Sequence, residues 1–399
     1  MKKLTVVWIC HFSNALVQEK LKPWKKKAHF APWISQTIPI FENHPDIQLH
    51  IIAPHEYISG SKEFTHKGVH YHFFNPYIPI WGRHWPGFFK WDEWTNYAYN
   101  KKVVKSLIQK IAPDVIHLQG AENPYYSSTI LPLLGLYPIV INLQRVLLSF
   151  LNQNNKRAII EKDILDKARN ISIRTETMKS DISSYRPDAN IHWVRYQPRI
   201  LEPLNLEKEY DVVFFARVSK AKGIEDLIDA MGIVAKTVPS PKLCIIGGIS
   251  DVYKTELTNR AAKLNLAENI TWKGYLHSVE DVYREASKAK ISVLPTHNDI
   301  IPGTIIESMQ LGLPVVSYKV GSIPELNVDE GSVLLSELGD IQGLARNMTK
   351  LLTDAVLYDT MSARGIICIQ KRYSGQDVLK QHLDCYQDVI WDYEQQRHQ

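Results

Sequence analysis

The stretch that decides the fold runs from Leu294 to Leu326, LPTHNDIIPGTIIESMQLGLPVVSYKVGSIPEL. The apolar run Ile291–Leu294 breaks at Pro295 and a polar loop follows. A helix then starts near Pro302, whose fixed φ and missing N–H suit a first helical turn. A second strand and a tight loop complete the stretch. In an open α/β sheet ligands gather at the carboxyl ends of strands, where a helix N-terminus offers unpaired N–H groups to an anion. Two carboxylates bracket this turn, Asp299 in the loop and Glu307 on the helix, with seven residues between them. Taken singly, each is equally a surface acid of a loop or a first helical turn.

Working outward, the 399 residues call for two domains of ordinary size. The 45% hydrophobic and 22% charged fractions are those of a chain that buries sizeable cores, which argues against disorder. A net charge of +5 makes no case for a nucleic-acid partner but admits an anionic ligand or an anionic membrane surface. Cys10, Cys244, Cys368 and Cys385 lack metal-ligand or redox spacing and read as free thiols. The opening MKKLTVVWICHF is too short in its apolar run for a secretion signal and reads as a first strand. No run of about 18 apolar residues crosses a membrane, so the expected location is the cytoplasm.

Strand-like runs at Leu4–Ile9, Ile47–Ile52, Val115–Leu118, Ile139–Ile141 and Ile171–Ile173 alternate with helical stretches, the clearest from Asn96 to Ile111. The proline-containing, mixed-charge segment Tyr196–Tyr210 marks a domain boundary. The pattern restarts with a strand at Val212–Phe215, a helix from Ile224, strands at Leu243–Ile246 and Ile270–Trp272, and helices near Tyr253–Leu264 and Val279–Ala286. Asp340 reads as the N-cap of a further helix, and Gln376–Gln395 has the apolar period of a terminal one.

A second motif, FARVSKAKG from Phe215 to Gly223, lies between a strand and a helix. Together with the x7-spaced acids it resembles the retaining glycosyltransferases of family 4, with Asp299 standing where the family has its first glutamate. The resemblance covers most of residues 211–355. It implies that Arg217 and Lys222 hold the diphosphate of a nucleotide sugar, that Asp299 holds the sugar hydroxyls and that Glu307 holds the ribose. A departing nucleoside diphosphate needs fixed cations and helix N–H groups to stabilise its growing charge. Gly247 and Gly248 resemble the family's strand-to-glycine turn near the nucleotide, and Tyr275 its segment near the base. Gly303, Thr304 and Ile305 offer N–H groups to the distal phosphate. Ala216 replaces the usual glycine of the cation motif, which matters little if its φ is negative.

The first half resembles the family less closely. Pro113–Gly120, PDVIHLQG, matches the family's strand that ends in two histidines, with His117 at the first and Gln119 at the second. His117 reads first as a core histidine and second as an acceptor contact. His11 and Asn14 follow the first strand in place of a glycine pair, and Arg174 follows another strand; these are candidates to face an acceptor. Lys20–Lys27 combines five lysines with Trp24, and Trp81–Trp94 gathers four tryptophans beside Arg83, His84 and Lys90. A solvated loop and a local aromatic core explain them first, an interface with an anionic membrane second.

The resemblance implies an α/β, GT-B arrangement of two Rossmann-like domains facing a central cleft. Residues 1–203 would bind the acceptor, 204–375 the nucleotide sugar, and 376–399 would form a helix crossing back to the first domain. It implies transfer of a sugar with retention from a UDP- or GDP-linked donor to a glycan or lipid-linked acceptor, in surface polysaccharide or lipid-linked oligosaccharide synthesis. The chain has no Asp-x-Asp pair, and Arg217 and Lys222 fill the place of a metal, so no metal and no further cofactor are expected. The alternatives are an epimerase or hydrolase of sugar nucleotides on the same fold, and a non-catalytic partner subunit of another transferase.

Overall fold

The computed structural model describes residues 3–25, 30–77, 91–144, 155–327 and 331–397. Two compact units emerge, Met1–Gln197 joined by Gly375–Gln399, and Pro198–Ser374. In the first unit the strands are β1 (Leu4–Ile9), β2 (Ile47–Pro54), β3 (Ser61–His66), β4 (Val69–Phe74), β5 (Val115–Gln119), β6 (Ile139–Asn142), β7 (Asn170–Ile173) and β8 (Asn190–Trp193). They form one sheet in the order β3-β4-β2-β1-β5-β6-β7-β8. Only β3 runs antiparallel to its neighbour, as an edge strand whose exposure alternates along SKEFTH. The centre is parallel and apolar on both faces, as in β1, where Val6, Val7, Trp8 and Ile9 are buried.

The terminal helix Gly375–Arg397 belongs to this unit and buries Val378, His382, Cys385, Tyr386 and Val389. The Trp8 indole donates to the Tyr386 hydroxyl at 2.8 Å, and Arg169 Nε reaches both oxygens of Asp392 at 2.9 Å. An indole N–H stripped of its partner inside such a core costs about 1–3 kcal/mol, so the helix is a structural part of the sheet it covers.

The second unit contains β9 (Tyr210–Phe215), β10 (Leu243–Ile246), β11 (Ile270–Gly274), β12 (Ala289–Leu294), β13 (Val315–Tyr318) and β14 (Val333–Ser336). Their order is β11-β10-β9-β12-β13-β14, and neighbouring strands pair in parallel. The helix Ile224–Val234 buries Leu227, Ile228 and Met231, and Asp340 does cap its helix, accepting from the Gly343 N–H at 2.8 Å. The α/β class with two Rossmann-like units is thus the observed fold. In each sheet the order reverses beside the first strand of the unit, between β1 and β5 and between β9 and β12. Those reversals are the crevices where ligands of such sheets bind.

Candidate functional site

In the second unit the loops after β9 and β12 meet at the reversal point. The turn Lys220–Lys222 ends at Gly223, whose φ is +72°; a Cβ there would lie 1.8 Å from the Pro295 carbonyl oxygen. The two loops therefore touch backbone to backbone, and His297 N–H donates to the Ala221 carbonyl at 2.9 Å. This contact delivers Lys222 to Asp299: Nζ donates to Oδ2 at 2.5 Å, and the Thr296 hydroxyl donates to the same oxygen at 2.6 Å. Both charged side chains are half-buried, 26% and 21% exposed, so the pair is better shielded from water than a surface bridge.

Neighbouring loops are tied in the same manner. A Cβ on Gly247 would lie 1.9 Å from the Ala216 carbonyl oxygen, and one on Gly321 would lie 1.9 Å from that of Asp299. Ala216 lies outside the positive-φ region, so replacing glycine there costs the turn nothing. Gly248 and Gly303, by contrast, face open space. Pro302 is the N-cap of the helix Gly303–Gln310 rather than its first residue, and no side chain caps this end. Ile305 N–H, expected as a phosphate donor, is given to the Pro302 carbonyl at 3.0 Å, because the first turn closes on the proline. Gly303 and Thr304 remain as the helix-end donors. Arg217 is exposed and has no hydrogen-bond or ion-pair partner among the described residues, and Tyr275 stands 68% exposed beyond β11.

Glu307 lies one turn into that helix. Burial lifts its carboxyl above the ordinary carboxylate value, opposed by a hydrogen bond from the Tyr283 hydroxyl and by the Arg199 charge. Sequence reasoning passed over these two residues and also Asp226, whose Oδ2 accepts from His297 Nε2 and from the Tyr318 hydroxyl, each at 2.9 Å. The clue was present in LPTHND, where Thr296 and His297 shortly precede the predicted acid. Two cations and uncapped N–H groups at the ends of parallel strands can stabilise an oxyanion.

In the first unit the candidates separate. Asn14 spends its side chain on structure: Oδ1 caps the helix Ala15–Leu21 through Val17 N–H, and Nδ2 donates to Ser35 Oγ. His117 has no exposed surface; it meets the Tyr386 hydroxyl at 3.0 Å and Gln119 Nε2 at 3.2 Å, and burial drives its pKa well below the ordinary histidine value. It is a neutral core histidine. His11 lines an open pocket with Phe30, Trp33, Glu122, Tyr125 and Tyr126, about 1040 Å³ of empty space counting its mouth. Gln119 and Arg174 line a narrower one of about 290 Å³ on the same measure, and Trp33 and Gln144 belong to both. Of the Lys/Trp stretches, Trp24 and Trp94 are exposed, while Lys26, Lys27 and residues 81–90 lie outside the described residues. No described helix is long and apolar enough to cross a membrane.

Residues 179–366 match the family model described as glycosyl transferases group 1. Among curated proteins, the chain is 22% identical over 194 residues to the N-acetyl-alpha-D-glucosaminyl L-malate synthase of Bacillus anthracis, covering 47% of this chain and 49% of that protein. It is 24% identical over 185 residues to the capsular polysaccharide biosynthesis glycosyltransferase CapM of Staphylococcus aureus, covering 46% and 48%. The chain thus spans about half the length of these curated relatives. The sucrose-phosphate synthase structure from Thermosynechococcus elongatus superposes with a TM-score of 0.73 at 16% identity, covering 98% of this chain and 100% of that one, which shows a shared fold. The match to the glycosyl transferases group 1 model covers slightly under half of the chain, and the superposition shows the fold the two chains share.

Proposed function

We propose that the chain is a retaining glycosyltransferase of the family 4 type, moving a sugar from a nucleoside-diphosphate sugar to an acceptor hydroxyl in the assembly of a bacterial surface polysaccharide or lipid-linked oligosaccharide. The observation that carries this reading is the Lys222–Asp299 pair at the strand-order reversal of the second unit, with Arg217 uncommitted beside it on the same loop. Arg217, Lys222 and the Gly303 and Thr304 N–H groups hold the donor diphosphate and stabilise the charge that grows as the sugar leaves. Asp299 binds the sugar hydroxyls, and Lys222 is set between the two by its bond to Asp299. Glu307 binds the ribose, Gly247 and Gly248 admit the nucleotide close to the backbone, and Tyr275 lies near the base. The acceptor hydroxyl attacks on the face the phosphate leaves, and the phosphate oxygen takes its proton. No protein nucleophile and no metal enters that scheme.

The test is incubation with UDP- and GDP-hexoses and a glycan acceptor, with and without chelator. The expected product is a glycoside that keeps the donor's anomeric configuration, read from its proton coupling constant, at a rate indifferent to chelation. An inverted product refutes retention. Free sugar or an epimerised donor with no glycoside at any acceptor refutes transfer.

A further inference from the structure

The narrow pocket of the first unit has an unusual charge inventory. Among the described residues, its wall includes Arg174 and Arg195 and the uncharged polar side chains of Gln119, Asn142 and Gln144, and no carboxylate. Among the described residues, Arg174 Nε and Trp33 Nε1 are both buried there without a hydrogen-bond partner. A buried donor without an acceptor costs about 1–3 kcal/mol, and for a guanidinium the cost is larger, so such groups are kept where an acceptor arrives from outside. The Arg174 guanidinium also lies over the Tyr196 ring, 5.5 Å from its centre, a contact that restricts its placement. Preorganisation of this kind favours a planar or tetrahedral oxyanion over a diffuse negative surface.

The pocket opens beside the larger one through the shared Trp33 and Gln144. That neighbour is walled by aromatic rings, with His11 and Phe30 centroids 4.5 Å apart and Tyr125 and Tyr126 centroids 5.4 Å apart. Glu122 and Arg157 both line it, and Glu122 accepts from the Gln144 N–H, so the larger chamber holds an acid and an arginine while Arg174 and Arg195 stand in the smaller without an acid beside them.

We propose that the Arg174 pocket binds an oxyanion, a phosphate or a carboxylate, carried by the molecule whose ring or chain occupies the adjoining aromatic pocket. Taking that molecule to be the glycosyl acceptor rests on the function proposed above. The acceptor is then an anionic sugar or polyol rather than a neutral glycan.

Equilibrium dialysis of the full chain against inorganic phosphate, at constant ionic strength, tests the site without any turnover. It is run on the wild type and on Arg217→Ala, which removes a cation of the second unit and leaves this pocket untouched. In that background phosphate is expected to bind, to weaken by at least about tenfold in Arg174→Gln, and to recover to within about threefold of the parent in Arg174→Lys. Trp33→Phe, which keeps a ring and deletes the N–H, weakens it by about two- to fivefold. Acetate competition separates the sources: displacement by acetate assigns a carboxylate-tolerant site, and its failure assigns a phosphate site, both upholding an oxyanion. Phosphate binding that survives Arg174→Gln, or that vanishes in Arg217→Ala, overturns the proposal. Neither result touches donor transfer, which is scored separately by product analysis.

Discussion

In the second unit glycines at the strand ends sit against the backbone of a neighbouring loop, whereas the glycine that ends β5 in the first unit sits against the tips of side chains. Gly223, Gly247 and Gly321 each sit where a single added carbon would meet a main-chain carbonyl within 2 Å. The corresponding glycine of the first unit, Gly120 after β5, would place a Cβ 2.8 Å from the Tyr126 hydroxyl and 2.9 Å from Glu122 Oε2, both tips of side chains. The first arrangement brings Lys222 to Asp299. The second leaves chamber walls that can be reshaped by changing a side chain.

The largest effect separates these two kinds of closure. Gly223→Ala and Gly247→Ala are each expected to cost on the order of 4 kcal/mol, since a carbonyl of the neighbouring loop must be pushed aside. Gly120→Ala, at a φ of +102° but against movable tips, should cost about 1–2 kcal/mol. Gly248→Ala, facing open space, should stay within about 0.5 kcal/mol. Urea unfolding of the four variants orders them. A Gly120→Ala variant as damaged as Gly223→Ala would erase the distinction.

The same contrast explains what could be read in the chain. The strands Leu4–Ile9 and Leu243–Ile246 were expected at their observed bounds, because continuous apolar runs in a buried parallel sheet admit few other readings. β3 and β4 were passed over: SKEFTH alternates charge with exposure, and VHYHFF carries histidines on one face. The helix Ala355–Arg372 escaped too, having only Met361, Gly365, Cys368 and Ile369 buried along 18 residues. In the candidate site, Lys222 and Asp299 were legible as motif residues, but their pairing was not. It depends on Gly223 meeting Pro295 across a gap of 77 positions in Lys222–Asp299 terms. The Arg174 pocket was least legible, since its wall comes from β1, from the ends of β5, β6, β7 and β8, from the helix Pro32–Thr37 and from the terminal helix, one to three side chains each.

Acid should weaken the first unit through its histidines. Burial lowers His50 to about 4, helped by His70 and His72 and opposed by Glu63, and burial lowers His382 to about 4 as well. His117, His72 and His192 shift the same way. A lowered folded-state pKa means that only the unfolded chain takes the proton, so the stability is whole above the ordinary 6.5 and drains as pH falls toward 4. The loss approaches on the order of 3 kcal/mol for each of His50 and His382. In the second unit His277 is exposed and His297 half-buried. Amide hydrogen exchange followed from pH 7 to 4.5 should show β1 and β2 losing protection before β9 and β12. The reverse order would place the acid-sensitive groups elsewhere.

The cations of the second unit come next. Arg217→Ala and Lys222→Ala should each lower donor affinity and turnover at least about tenfold, roughly 1.4 kcal/mol. They should differ in the ligand-free protein. Lys222→Ala strips Asp299 of its cation and should lower the melting temperature, while Arg217→Ala, with no partner among the described residues to lose, should leave it unchanged. Equal melting temperatures with unequal donor binding would mean that the Lys222–Asp299 bond adds no stability to the loops. Asp299→Glu, which restores the acid usual in the resembled family, should keep turnover within about tenfold if the Gly321 contact lets the loop shift by one methylene.

The smallest effect sharpens the comparison by its sign. Burial raises the Glu307 carboxyl, so the folded second unit tolerates its charge less well than the unfolded chain does. Stability from this group is therefore present below the ordinary carboxylate value and lost as pH rises through the raised one, the opposite of the histidines in the first unit. Glu307→Gln removes the charge and keeps an oxygen to accept from Tyr283. In the ligand-free protein it should add at most about 1 kcal/mol at pH 7, and the gain should fade as the solution is acidified past the carboxylate range. Donor and free nucleoside diphosphate should both bind more weakly, by a similar factor, because ribose contacts change little during transfer. Melting curves of the variant and parent across pH, beside titrations with nucleotide and nucleotide sugar, separate the two claims. A variant less stable than the parent at pH 7 would show that Arg199 and Tyr283 outweigh burial, and that Glu307 is held charged as a structural anchor.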